Sequence, residues 1–156
     1  MIQQDFEYSE DRSFFAQLFG VSENELLLRY RALFDFRALV VKRALFQLQR
    51  IKLWEQLRTV TEPSCFLQLS SHCTGTQQLV LDHLIPLATN ELNKKLRKQK
   101  AAFGHKVSAQ SFGSNNLENL TFACTTCNNY KKHRLPSAEL IQRHLKRLDE
   151  QRLPRS

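Results

Sequence analysis

Two adjacent residues, Asp82 and His83, place a carboxylate beside an imidazole inside an apolar run, QLVLDHLIP at 78–86. Downstream follow Asn119-Leu120, then Cys124-x-x-Cys127, then Asn128 and Lys131. An Asp-His pair often arises by chance, and a lone histidine in an apolar run is more commonly a satisfied core residue than a base. A single Cys-x-x-Cys points to metal or redox work. The information lies in the order of these elements and in their local context. Two further cysteines, Cys65 and Cys73, stand upstream of the Asp-His pair, so all four of the chain's cysteines fall between 62 and 135. The amino-terminal MIQQDFEYSEDR is acidic and polar, without the basic and apolar segments of a leader. The longest apolar run, ALVVKRALF, is broken by Lys42 and Arg43, too short and too charged to span a membrane. The expectation is a cytoplasmic protein with no membrane partner. In a reducing compartment its cysteines are better metal ligands than disulfide partners.

Three regions must position these residues. Residues 1–61 read as helical. Ser22 and Glu25 form a capping-box signature just after Gly20. No Gly or Pro interrupts 23–59, where Leu26, Tyr30, Leu33, Phe34, Val41, Leu45, Leu48 and Trp54 recur at three- and four-residue steps. Leu27, Phe36, Val40 and Phe46 widen that stripe, which suits a helix buried on more than one side, against the rest of the chain or a second copy. A break near Asp35 or Phe36 is compatible with its length. Residues 62–135 hold two short strand candidates, 78–86 and 119–123, separated by a strongly basic stretch read as helical over 90–103. Residues 136–156 form a last helix, with Ser137 as N-cap, Leu140, Ile141, Leu145 and Leu148 as its apolar face, and His144 facing solvent. The tail QRLPRS frays. The expected class is α+β, mostly helical.

The formal net charge of +8 suggests a polyanionic partner, because Lys and Arg gain affinity by displacing counterions from phosphates. A hydrophobic share of 42% is enough for a real core, and only four Gly and four Pro argue against an all-β fold of tight turns.

The strings LVLDHLIPLA and FGSNNLENLTFACTTCNNYKKHR together resemble the signature of the HNH endonucleases, also called ββα-metal nucleases. The resemblance covers 62–135. It implies a two-stranded hairpin followed by a helix, and metal-dependent hydrolysis of DNA phosphodiester bonds, double-stranded DNA first. It suggests bacterial or phage defence, restriction or mobile-element processing. By this resemblance His83 is the general base that takes a proton from water, a task suited to its near-neutral pKa. Asp82 and Asn128 hold a divalent metal, and their hard oxygens suit Mg²⁺ or Mn²⁺. Asn119 hydrogen-bonds backbone around the hairpin, while Lys131 and Lys132 reach the phosphate. A regular strand points Asp82 and His83 to opposite sides, so a distorted strand end is expected.

Many members carry a second Cys-x-x-Cys before the Asp-His pair. Here seven residues separate Cys65 from Cys73, a departure from that pattern. Either Cys65, Cys73, Cys124 and Cys127 enclose a structural Zn²⁺ across a longer hairpin, or His72 replaces one of them, or the four are free thiols. A second departure is the long insert 90–116, where Lys94, Lys95, Arg97, Lys98, Lys100 and Lys106 form a candidate DNA-binding element or a solvated face. The competing function is a non-catalytic zinc-ribbon module that binds nucleic acid, which has no need of Asp82, His83 and Asn128 together. The region 1–61 could also serve as an arm for dimerisation or for docking a protein partner.

Overall fold

The computed structural model describes residues 5–152; Met1–Gln4 and the end of the tail, 153–156, lie outside them. The protein is α+β, with about half of the chain helical and only two short two-stranded sheets. Helix α1 (Ser9–Phe19) stops at Gly20, whose φ of 68° lets Val21 donate back to the Ala16 carbonyl at 3.0 Å, a Schellman-type end. Helix α2 (Glu23–Tyr30) starts as its cap predicts, with Ser22 Oγ accepting from the Glu25 N–H at 3.2 Å.

The long helical pattern does break near Asp35. A 3₁₀ turn (Arg31–Leu33) leads into extended chain, and α3 (Leu39–Arg58) begins afresh. The cause is tertiary. Phe34 bridges Gly113 as an isolated antiparallel pair, and the Asp35 N–H donates to the Phe112 carbonyl at 2.8 Å. The rings of Phe6, Phe15, Phe34 and Phe112 meet with centroids 5.1–6.0 Å apart, so α1 and this link share one core with the later half of the chain. Gly113 is required there, since a Cβ would collide with the carbonyl oxygens of Ile85 and Pro86. Helix α3 buries only Lys42, Leu53 and Leu57 fully; Leu39, Leu45, Phe46 and Trp54 are half-buried, while Val40, Val41, Leu48 (84%) and Ile51 (77%) are exposed. Within this chain α3 is therefore covered on one side, not on several.

Strand β1 (Leu79–His83) pairs antiparallel with β4 (Leu120–Cys124), from Leu79 opposite Cys124 to His83 opposite Leu120. Helix α5 (Thr125–Lys131) follows β4 without a linker. Between the two strands lie β2 (Ala88–Thr89), α4 (Glu91–Lys95) and β3 (Gln110–Ser111), the outer two paired. The helix expected over 90–103 is thus a five-residue helix followed by irregular chain. Beyond it the Arg97 side chain is drawn inward. The guanidinium donates to Asn93, Glu10, Asp11 and Gln110 and stacks on Tyr8 at 4.3 Å. The next residue, Lys98, takes a φ of 54°. Helix α6 (Ala138–Arg152) begins with Ser137 Oγ accepting from Leu140 N–H at 3.3 Å and buries Ile141 and Leu148. His144, expected in solvent, is fully buried, with Nε2 3.0 Å from the Leu117 carbonyl.

Candidate functional site

The hairpin has two ends, and chemistry-bearing residues gather at both. At one end Cys124 closes β4 and caps α5, its sulfur accepting from the Cys127 N–H at 3.3 Å. The Ser70 N–H points at the Cys127 sulfur at 3.5 Å. Cys65 is brought alongside β4 because Phe66 N–H donates to the Phe122 carbonyl at 2.9 Å, and Gly75 accepts from the Cys65 N–H at 2.8 Å. The four sulfurs of Cys65, Cys73, Cys124 and Cys127 all lie within 4.8 Å of one another. Cys73 and Cys124 are 3.9 Å apart, far beyond a disulfide bond and close to the edge, about 3.8 Å, of a tetrahedron built on zinc–sulfur bonds. Burial acts to raise the Cys124 thiol, but the N–H groups of Cys127 and Thr74 outweigh it and bring it down to about 6. This is a site that can hold a zinc ion. His72 lies exposed and outside the cluster, so Cys65 and Cys73 complete the set across the longer loop.

At the other end β1 delivers Asp82 and His83. Pairing is regular through His83, so the distorted strand end anticipated from the sequence is absent. Both residues nevertheless line one open cleft of about 400 Å³, which also takes in Arg43, Asn128, Lys132 and His133. Asp82 is 4% exposed; one carboxylate oxygen lies 3.5 Å from Lys131 Nζ, and the other is buried with no hydrogen-bond partner. Burial pushes its carboxyl up to about 6, against the pull of Lys131. Lys131 itself is buried and donates to the His83 carbonyl at 2.8 Å, so it pins α5 to β1 and is not a surface contact for phosphate.

Asn119, at the start of β4, is fully buried. Its Oδ1 accepts from Ile85 N–H at 2.8 Å, and its Nδ2 donates to the carbonyls of Ile85 and Ser114, each at 2.9 Å. It holds the chain that leaves His83 against the chain that enters β4.

His83 is oriented by residues to which the sequence assigned no role. Phe46 of α3 packs edge-on to its ring at 4.7 Å. Asn115 Oδ1 sits 2.8 Å from His83 Nε2, while Asn115 Nδ2 donates to the Lys42 carbonyl at 3.0 Å. A backbone carbonyl can only accept, so the amide nitrogen must face Lys42 and the amide oxygen must face His83. The imidazole proton is then on Nε2, and Nδ1 keeps a free lone pair. Burial pulls the imidazole down to about 4, well below its ordinary near-neutral value; the Asn115 hydrogen bond opposes this, and Lys131 and Lys42 add to it. Lys42 is buried completely, donating to the carbonyls of Asp35, Leu87 and Gly113 at 2.7–2.8 Å. It clamps α3 onto the loops on either side of the cleft, and burial pushes its ammonium down to about 8.

Of the basic insert residues, Lys94, Lys95, Lys98, Lys100 and Lys106 are exposed, and Lys95 lies 5.2 Å from the Phe14 ring. Arg97 is not available to a phosphate, since its side chain is spent on Asp11, Glu10, Asn93 and Gln110. Asn115 could have been sought in the sequence, four residues before Asn119 in the same polar string; Phe46 and Lys42 could not.

Compared with known proteins, the chain matches no family model, no curated protein and no solved structure. Among the described residues no helix is long and apolar enough to cross a membrane.

Proposed function

We propose that this protein is a metal-dependent endonuclease of the HNH type, hydrolysing phosphodiester bonds of DNA in the cleft at the end of β1. One observation carries the reading: Asp82, His83 and Asn128 line the same open cleft, with a buried Asp82 oxygen left without a partner. Buried carboxylate oxygens are costly to leave unsatisfied, and a bound ion is one of the partners that satisfies them. Asp82 and Asn128 offer hard oxygen donors, and Mg²⁺ or Mn²⁺ fits that donor set. Such an ion supplies Lewis acidity toward a phosphate. The chain's own residues do the rest. Nδ1 of His83 accepts the proton of the attacking water, since Nε2 is committed to Asn115. Asn119 keeps the segment after His83 in place, and Lys131 holds both Asp82 and the His83 carbonyl. Arg43 and Lys132, on the cleft wall, meet the charge of the DNA backbone. A bacterial or phage role in defence, restriction or mobile-element processing is part of this proposal, as is a partner for the exposed side of α3.

The test is cleavage of supercoiled plasmid by wild type and His83→Ala, with Mg²⁺, with Mn²⁺ and with neither. Metal-dependent nicking by wild type alone supports the reading. Equal cutting by both proteins removes His83 from its role. Absence of cutting by either, with DNA binding intact, turns the chain into a zinc module that binds nucleic acid without hydrolysing it.

A further inference from the structure

The cleft does not stop at His83. Past Asn129, Lys132 and His133 it continues into a second groove of about 600 Å³ between α4 and the end of α5, whose walls carry Lys94, Tyr130 and Arg134. The groove is basic. Its one acid, Glu91, is engaged by the Leu135 N–H at 3.2 Å. Tyr130 is 54% exposed, and the Arg134 guanidinium lies over it at 4.9 Å while also donating to the Tyr130 carbonyl.

Lys132 marks the junction of the two grooves, and its backbone is strained. It closes α5 with φ 53° and ψ −127°, a region in which glycine sits freely and a lysine does not. Non-glycine residues held in such conformations cluster at active sites and ligand clamps.

We propose that this second groove is a strand-binding subsite. Lys132 and Lys94 hold backbone phosphates of the nucleic acid running out of the cleft, and Tyr130, backed by Arg134, stacks an unpaired base. Aromatic rings beside a positively charged track are the general means of holding single-stranded nucleic acid, because every base has a stacking face. The inference rests on reading the cleft as the phosphodiester site.

The experiment measures binding by fluorescence anisotropy without added Mg²⁺ or Mn²⁺. The probes are a blunt DNA duplex, the same duplex with a single-stranded extension, and the same extension made abasic. Lys132→Gly is expected to weaken binding to all three about 3- to 10-fold and to lower the salt dependence by about one phosphate contact. The same change is expected to raise Tm by about 2–4 °C as the strain is relieved. Tyr130→Ala is expected to weaken binding to the base-bearing extension about 5- to 100-fold, leaving the blunt and abasic probes unchanged; Tyr130→Phe retains binding. Unchanged affinity in Lys132→Gly, or equal losses on all probes in Tyr130→Ala, overturns the subsite. Plasmid cleavage by the same preparations separates the two ideas. Wild-type cutting with unaltered variant binding sinks the subsite alone. The expected binding changes without cutting keep the subsite and sink the nuclease. No binding by wild type sinks both.

Discussion

The two ends of the β1–β4 hairpin solve different problems with the same few residues of chain. At the Leu79–Cys124 end, four soft sulfur ligands converge from the loop before β1, the end of β4 and α5, buried or half-buried and close to one another. At the His83–Leu120 end, Asp82, Asn128 and His83 offer hard oxygens and a nitrogen, and these residues line an open cleft. A closed ligand set stabilises a fold; an open one leaves room for something to bind and leave. The cysteine end is saturated by its own members, whereas the Asp82 end retains an oxygen without a partner. The hairpin thus carries a closed sulfur set at one tip and a set of hard donors beside a cleft at the other.

The sharpest way to break this contrast is to attack the closed end. Cys124→Ser is expected to unfold the protein, because structural zinc sites of this kind contribute about 10–16 kcal/mol to folding. Far-UV circular dichroism and zinc quantification read the outcome; a variant as stable as wild type would show that the cluster holds no structural metal. At the open end the reverse is expected. His83→Ala should lower cleavage by about 10²- to 10⁴-fold while moving Tm by only a few degrees. If unfolding accompanies the loss, the two ends do not differ in the way described.

Asn119→Ala lies between these extremes, because it orphans the Ile85 N–H and the carbonyls of Ile85 and Ser114 together. A loss of about 2–4 kcal/mol is expected, measured by urea denaturation, with cleavage reduced in the remaining folded protein. A cost near zero would mean that water replaces the amide and that the chain after His83 is held by other contacts.

The remaining predictions concern the cations. Lys131→Met leaves Asp82 buried without its cation, so Tm should fall in metal-free buffer, and added Mn²⁺ should restore more of it than it adds to wild type. Equal Mn²⁺ shifts in the two proteins would argue against Asp82 as a ligand. Neutralising Lys94, Lys95, Lys98 and Lys100 should weaken DNA binding and flatten its salt dependence without loss of stability. Arg97→Ala should do the opposite, destabilising the fold with little change in salt dependence. Matching behaviour of the lysine set and Arg97 in a filter-binding titration would erase the distinction between them.

Much of the site's frame was legible because it is local. Ser22 and Ser137 cap the helices their spacing announces, and β4 follows the NLTFA string within one residue. Cys124, Cys127 and Asn128 fall within about one turn of one another, so any helix starting there groups them. Two of the misreadings involve partners far away in the chain. Arg97 looked like one member of a charge run until Asp11, 86 residues earlier, claimed it. His144 looked solvated because its carbonyl partner, Leu117, belongs to another region.

The sequence by itself determined the residue types at both ends of the hairpin, the order in which they arrive, and the caps and turns that depend on neighbours a few positions apart. Only the tertiary structure decided which cations are buried and which face a ligand. Lys42 and Lys131 vanish into the protein while Lys94 and Lys132 stay in solvent, although nothing in local composition separates them. The reason is physical: a charge can leave water only where oxygen atoms replace its hydration. For Lys42 two of those oxygens come from Leu87 and Gly113, 45 and 71 positions along the chain.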